Sequence, residues 1–213
     1  MSTAILENPS ATPSSLVTDT GGFAGTRRSV FPPVRPPGYF SPDADPAAIK
    51  AFYQANGYFV LESGFTPAEI EALKRETTLI CRGERGELPD HPQADPAESD
   101  DSVLSRFLCI HFPHKLSEVM RATLHNRPTV DALTTIIGPN VKCMQSMLFM
   151  KSSGKPGQAW HQDEDYIATR DRCLAGAWIA IDRATRDNGC LWVLPGSHRA
   201  GFLREKRWQG DRR

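Results

Sequence analysis

The chain has 213 residues, and 25 Lys and Arg balance 25 Asp and Glu to a formal net charge of +0. That length suits one sizeable domain with a tail, and the balance argues against a nucleic-acid or anionic-membrane surface. Mean hydropathy is −0.41, no apolar run approaches the ~20 residues that a membrane helix needs, and Met1 to Glu7 lack the basic-then-apolar pattern of a secretory leader.

Residues 1–45 are rich in Pro, Ser, Thr and Gly, with Pro32-Pro33 and Pro36-Pro37 around Val34-Arg35. Such a stretch buries too little apolar surface to order itself, so a disordered or extended arm is expected ahead of a domain over 46–213. Pro46 to Asn56 reads as a short helix, with Asp45 as N-cap, Pro46 at the first helical position and Gly57 as the stop. Tyr58 to Leu61 reads as a strand. Thr66 and Glu69 form a capping-box pattern that opens a helix to about Arg82, with Ile70, Leu73 and Ile80 on its apolar face.

Residues 83–101 are acidic and contain Pro89, Pro92 and Pro96, which marks a loop. Residues 107–113 are apolar but fit no single element. Residues 116–124 and 128–137 read as helices, with Gly138 ending the second. Residues 141–151 read as a strand too uniformly apolar to have one wet face. Residues 160–167 and 174–181 read as further strands. Asp187-Asn188-Gly189 is a tight-turn signal before a strand over 190–194, and Pro195 to His198 turn off its end. Helices first and short strands later make an α+β chain, with a β-sandwich or jelly roll as its second part.

The chemistry concentrates at Trp160-His161-Gln162-Asp163. On an extended strand His161 and Asp163 share a face, as two arms of a 2-His-1-carboxylate iron triad do, and such a site leaves open positions for a co-substrate and O₂. Glu164 and Asp165 extend a carboxylate run that reads most simply as a solvated loop. His91, His111, His114 and His125 have no second ligand at useful spacing. Cys81, Cys109, Cys143, Cys173 and Cys190 form no CxxC pair, which suits reduced thiols in a cytoplasmic protein.

From Phe52 to His198 the chain resembles the phytanoyl-CoA dioxygenase family, Fe(II)/2-oxoglutarate-dependent oxygenases on a double-stranded β-helix of cupin-like type. The matching pieces are NGYFV at 56–60, IGPN at 137–140, MLFMK at 147–151, WHQD at 160–163, AW at 177–178, DNGCL at 187–191 and LPGSH at 194–198. The resemblance implies His161 and Asp163 as iron ligands, and Met147 and Trp178 as lining of the 2-oxoglutarate pocket. Gln162 would reach the co-substrate through its backbone. Trp178 suits plain core packing equally well. Lys151 aligns without a clear role.

The family's distal His ligand and its 2-oxoglutarate-binding Arg lie on later strands, and nothing after His198 resembles them. The C-terminal strands of the barrel are therefore expected to be missing. His198 itself is expected to cap or pack a loop rather than to bind iron. The resemblance implies a hydroxylase of a small organic or acyl substrate, with Fe(II), 2-oxoglutarate and O₂. The 213 residues alone are expected to bind Fe(II) weakly without turnover. The alternative is a truncated, non-catalytic relative that binds a partner or small molecule. A different metal-binding cupin is a third reading. The oligomeric state is left open.

Overall fold

A computed structural model describes residues 2–7, 37–89, 91 and 93–201. Strand β1 spans Ser2–Glu7, and β2 spans Tyr39–Phe40. Helix α1 (Pro46–Asn56) leads into β3 (Tyr58–Glu62), and α2 covers Pro67–Cys81. Next come α3 (Asp100–Ser105), β4 (Cys109–His111), α4 (Glu118–Thr123) and α5 (Arg127–Ile137). Two short strands, β5 (Met147–Phe149) and β6 (Ala175–Ile179), follow. Single 3₁₀ turns lie at Pro113–Lys115, Asp163–Asp165 and Ser197–Ala200.

Helix boundaries fall where the local signals put them. The Asp45 carboxylate accepts the Ala47 N–H at 3.0 Å, and Gly57 ends α1 in the left-handed region at φ 80° with its N–H on Tyr53 O. At α2 the Thr66 N–H donates to Glu69 at 2.7 Å and the Glu69 N–H returns to Thr66 Oγ1 at 3.3 Å, the reciprocal capping box. Asn126 caps α5 through the Thr129 N–H and also donates to Gly64 O at 3.0 Å, which anchors the helix to the loop after β3.

Strands β2, β3, β1 and β6 lie in that order in one parallel sheet, with Ala4 opposite both Phe59 and Ala177. Thus Ser2–Glu7 is an interior strand; the rest of the expected arm before residue 37 lies outside the described residues. Three consecutive residues of β3, Phe59, Val60 and Leu61, are buried. Burial without alternation means both faces of the strand are covered, as parallel sheets require. Phe59 sits edge-on to Phe40 and Tyr53, with centroids 6.2 and 6.1 Å away. The core continues through Ile70, Leu73 and Ile80 of α2 to Val103, Phe107, Ile110 and Leu148.

The α+β content agrees with expectation, but the described residues form no jelly-roll barrel. The second half holds one antiparallel pair, β4–β5, in which Ile110 faces Leu148. Residues 141–146 and 190–194, expected as strand, are irregular. Strand β5 also has a wet face after all: Leu148 is buried while Met147 and Phe149 are exposed. Among the described residues β5 pairs with β4 alone.

Candidate metal centre

Residues 160–167 were expected as a strand, yet the chain curls into the 3₁₀ turn Asp163–Asp165. The Asp163 carbonyl accepts N–H groups from Tyr166 and Ile167, at 2.9 and 2.8 Å. These local bonds replace a strand ladder. His161 and Asp163 still converge: Nε2 lies 3.3 Å from Oδ1, with the side chains 30 % and 35 % exposed. His161 Nδ1 is 2.7 Å from the Ala159 carbonyl. A carbonyl only accepts, so Nδ1 carries a proton, and this hydrogen bond turns Nε2 toward the carboxylate. Tyr166 stands edge-on to the imidazole at 5.7 Å.

Asp163 is bounded on its other side by β6. A Cβ built on Gly176 would meet Asp163 Oδ2 at 3.6 Å. Residues two apart share a strand face, so Trp178 emerges on the side of β6 that meets Asp163. Trp178 is half-buried, and Met147 is exposed with its sulfur 3.4 Å from Gln145 Nε2. The Gln162 side chain donates to Gly201 O at 2.9 Å, tying the turn to the residues after Ser197–Ala200.

Glu164 differs from the solvated loop residue expected at its position. It is 5 % exposed. One oxygen accepts both the Thr169 hydroxyl and the Thr169 N–H, the latter at 2.7 Å; the other accepts the Leu174 N–H at 3.2 Å. Burial raises its carboxyl, but these donors outweigh burial and hold it below its ordinary value. A Thr five residues after an acid is too common a pattern to have flagged this in the sequence.

His198 lies elsewhere. Its Nε2 donates to Gln54 O at 3.0 Å, Gly196 N donates to Asn56 O at 2.7 Å, and the Arg199 guanidinium reaches Ala55 O. Gly196, His198 and Arg199 thus cover the last three carbonyls of α1, which have no partners within the helix. This is the capping role expected of it. The His198 ring also borders a cavity of about 240 Å³ with Tyr53, Arg172 and Leu174.

As donors, an imidazole nitrogen and a carboxylate oxygen suit a mononuclear non-haem iron site. The pair fits two of its three arms; among the described residues no group of three His, Cys, Asp or Glu could hold a metal.

The phytanoyl-CoA dioxygenase (PhyH) family model matches residues 53–212. Phytanoyl-CoA dioxygenase of Arabidopsis thaliana is 44 % identical over 183 residues, covering 72 % of this chain and 65 % of the relative. The peroxisomal phytanoyl-CoA dioxygenase of Homo sapiens is 28 % identical over 186 residues, covering 76 % and 50 %. A probable alpha-ketoglutarate-dependent hypophosphite dioxygenase of Stutzerimonas stutzeri is 25 % identical over 148 residues, covering 69 % and 51 %. The chain belongs to the phytanoyl-CoA dioxygenase family. It spans about two-thirds of the plant relatives' length and about half of the human one's. No solved structure matches it. No helix among the described residues is long and apolar enough to cross a membrane.

Proposed function

We propose that this chain carries the metal-binding part of an Fe(II)/2-oxoglutarate-dependent dioxygenase that hydroxylates a small organic or acyl substrate, on the cupin-like scaffold of its family. The observation that carries this reading is the convergence of His161 Nε2 and Asp163 Oδ1, with Nδ1 held by Ala159 O. A fixed tautomer is what a metal-binding imidazole needs from its surroundings. When bound, Fe(II) with 2-oxoglutarate and O₂ would supply the oxidising power for hydroxylation.

The chain's own residues do the rest. His161 offers its Nε2 and Asp163 a carboxylate oxygen on the same side of the turn. Gly176 leaves room for that carboxylate. Trp178, on the neighbouring face of β6, is the candidate wall of the co-substrate pocket, with Met147 a second candidate. Gln162 donates its side-chain amide to Gly201 O and its backbone carbonyl accepts the Asp165 N–H, so the residue between the pair is held in place from both sides.

Titration of the 213-residue chain with Mn(II), followed by paramagnetic broadening of the His161 imidazole resonances, tests this directly and detects weak binding. Selective broadening at His161, lost in Asp163→Ala, is the expected result. Broadening that spares His161, or that survives Asp163→Ala unchanged, would remove the pair from the metal site.

A second reading is a non-catalytic relative that binds a small molecule without turnover. Its physical basis is that the His161–Asp163 pair alone supplies two donors. Succinate formed from 2-oxoglutarate by the purified chain would exclude it.

A further inference from the structure

We infer that Glu164 is a positioning residue for the metal-binding pair, its buried carboxylate fixing where Asp163 stands relative to β6. This rests on the function proposed above. Glu164 follows Asp163 directly in the 3₁₀ turn but points into the protein, 5 % exposed. Its two oxygens reach both ends of the following loop. One holds Thr169 through the N–H and the hydroxyl, and the other holds the N–H of Leu174, the residue before β6. Thr169 Oγ1 in turn accepts the Cys173 N–H at 3.1 Å, so the clasp closes on itself.

The clasp has a direct consequence for Asp163. Leu174 is two residues from Gly176, whose Cα face abuts Asp163 Oδ2. Fixing Leu174 to Glu164 therefore fixes the wall behind Oδ2. Meanwhile the Asp163 carbonyl is held by Tyr166 and Ile167 N–H. With backbone and Oδ2 both constrained, Oδ1 stays turned to His161 Nε2. Glu164 is not itself offered as a ligand, because its oxygens are engaged by three donors within the protein.

The chemistry calls for a carboxylate. The three donors need two acceptor oxygens, and a glutamine would set an NH₂ against one of them. Glu164→Gln keeps the volume and breaks the clasp. Thr169→Val removes only the hydroxyl, and Thr169→Ser restores it.

The test measures Mn(II) affinity from broadening of the His161 resonances, well below the unfolding temperature of each variant. Glu164→Gln should weaken binding by about tenfold, the lower end of what residues that orient ligands contribute. Thr169→Val should weaken it less, and Thr169→Ser should match the unaltered chain. Glu76→Gln removes a buried carboxylate far along the chain and controls for lost stability; its Mn(II) affinity should not change. Equal affinity in Glu164→Gln and the unaltered chain would overturn the inference. So would a Glu76→Gln loss as large as that of Glu164→Gln. If Glu164→Gln does not fold, Thr169→Val decides, and unchanged affinity there also overturns it. Absence of His161 broadening in the unaltered chain would instead sink the functional reading and take the role of Glu164 with it.

Discussion

Glu76 and Arg85 form a two-pronged ion pair: Arg85 Nε lies 2.6 Å from Glu76 Oε1, and Nη2 lies 3.1 Å from Oε2. Glu76 is on the core side of α2 and only 6 % exposed. The guanidinium holds its carboxyl below the ordinary value of 4.5; burial opposes this, and the Ser117 hydroxyl adds to it. A carboxyl depressed on folding contributes stability that is full above its unfolded value and lost as pH falls through its folded value. Urea midpoints should therefore hold near neutral pH and drop as the solution is acidified below about 4.5. Glu76→Gln should be less stable at neutral pH and should show a shallower acid slope. A slope identical to that of the unaltered chain would deny Glu76 this part. Glu69 and Glu164 also lie below their ordinary values, so some slope remains in any single variant.

Gly57 is constrained twice. Its φ of 80° is in the left-handed region, and a Cβ there would overlap Nδ1 of His198 and come within 2.9 Å of its Cγ. Gly57→Ala should cost more than about 1 kcal/mol in urea unfolding, since the backbone strain and the overlap add. Combining it with His198→Ala should recover part of that loss, giving a coupling of about 1 kcal/mol. Strict additivity would mean that the ring moves aside at no cost.

Phe59 is fully buried between two edge-on rings. Phe59→Ala should destabilise the fold by about 3–5 kcal/mol, the range for truncating a buried aromatic. A loss under about 1 kcal/mol would mean that β3 is not the centre of the packed core.

The cysteines should separate by reactivity. Burial pushes the Cys81 thiol up to about 11, whereas Cys143 and Cys173 are exposed. The thiolate is the reactive form. Iodoacetamide at mild pH, read by peptide mass, should label Cys143 and Cys173 first and spare Cys81 until the protein unfolds. Early labelling of Cys81 would contradict its burial at the end of α2.

In any form of the protein that turns over 2-oxoglutarate, His161→Ala or Asp163→Ala should abolish that turnover. Succinate measured against the unaltered protein gives the answer. A variant that keeps most of its turnover would remove that residue from the metal site.

Helices were legible in the sequence because their signals are local. Asp45 with Pro46, the Thr66–Glu69 box and Gly138 each act within one turn of the element they bound. Strands were legible only where a partner exists. The strands read over 58–61 and 174–181 are present as β3 and β6, through pairing with Ser2–Glu7 that the sequence did not announce, whereas 160–167 and 190–194 carry strand-like composition without a ladder beside them. The spacing of His161 and Asp163 put them together even though the expected strand gave way to a turn, because a two-residue separation keeps side chains close in either. The burial of Glu164 was not legible, since it depends on how residues 169–174 fold back.

The donors that cover the end of α1 come from residues 196–199, as much as 144 positions along the chain from the carbonyls they satisfy. During synthesis, α1 therefore stands uncovered for on the order of ten to thirty seconds, at about 5–20 residues per second. Through that interval water must solvate Gln54, Ala55 and Asn56. The end of the first helix thus serves as a late docking point, and a nascent chain arrested before His198 is left with it open.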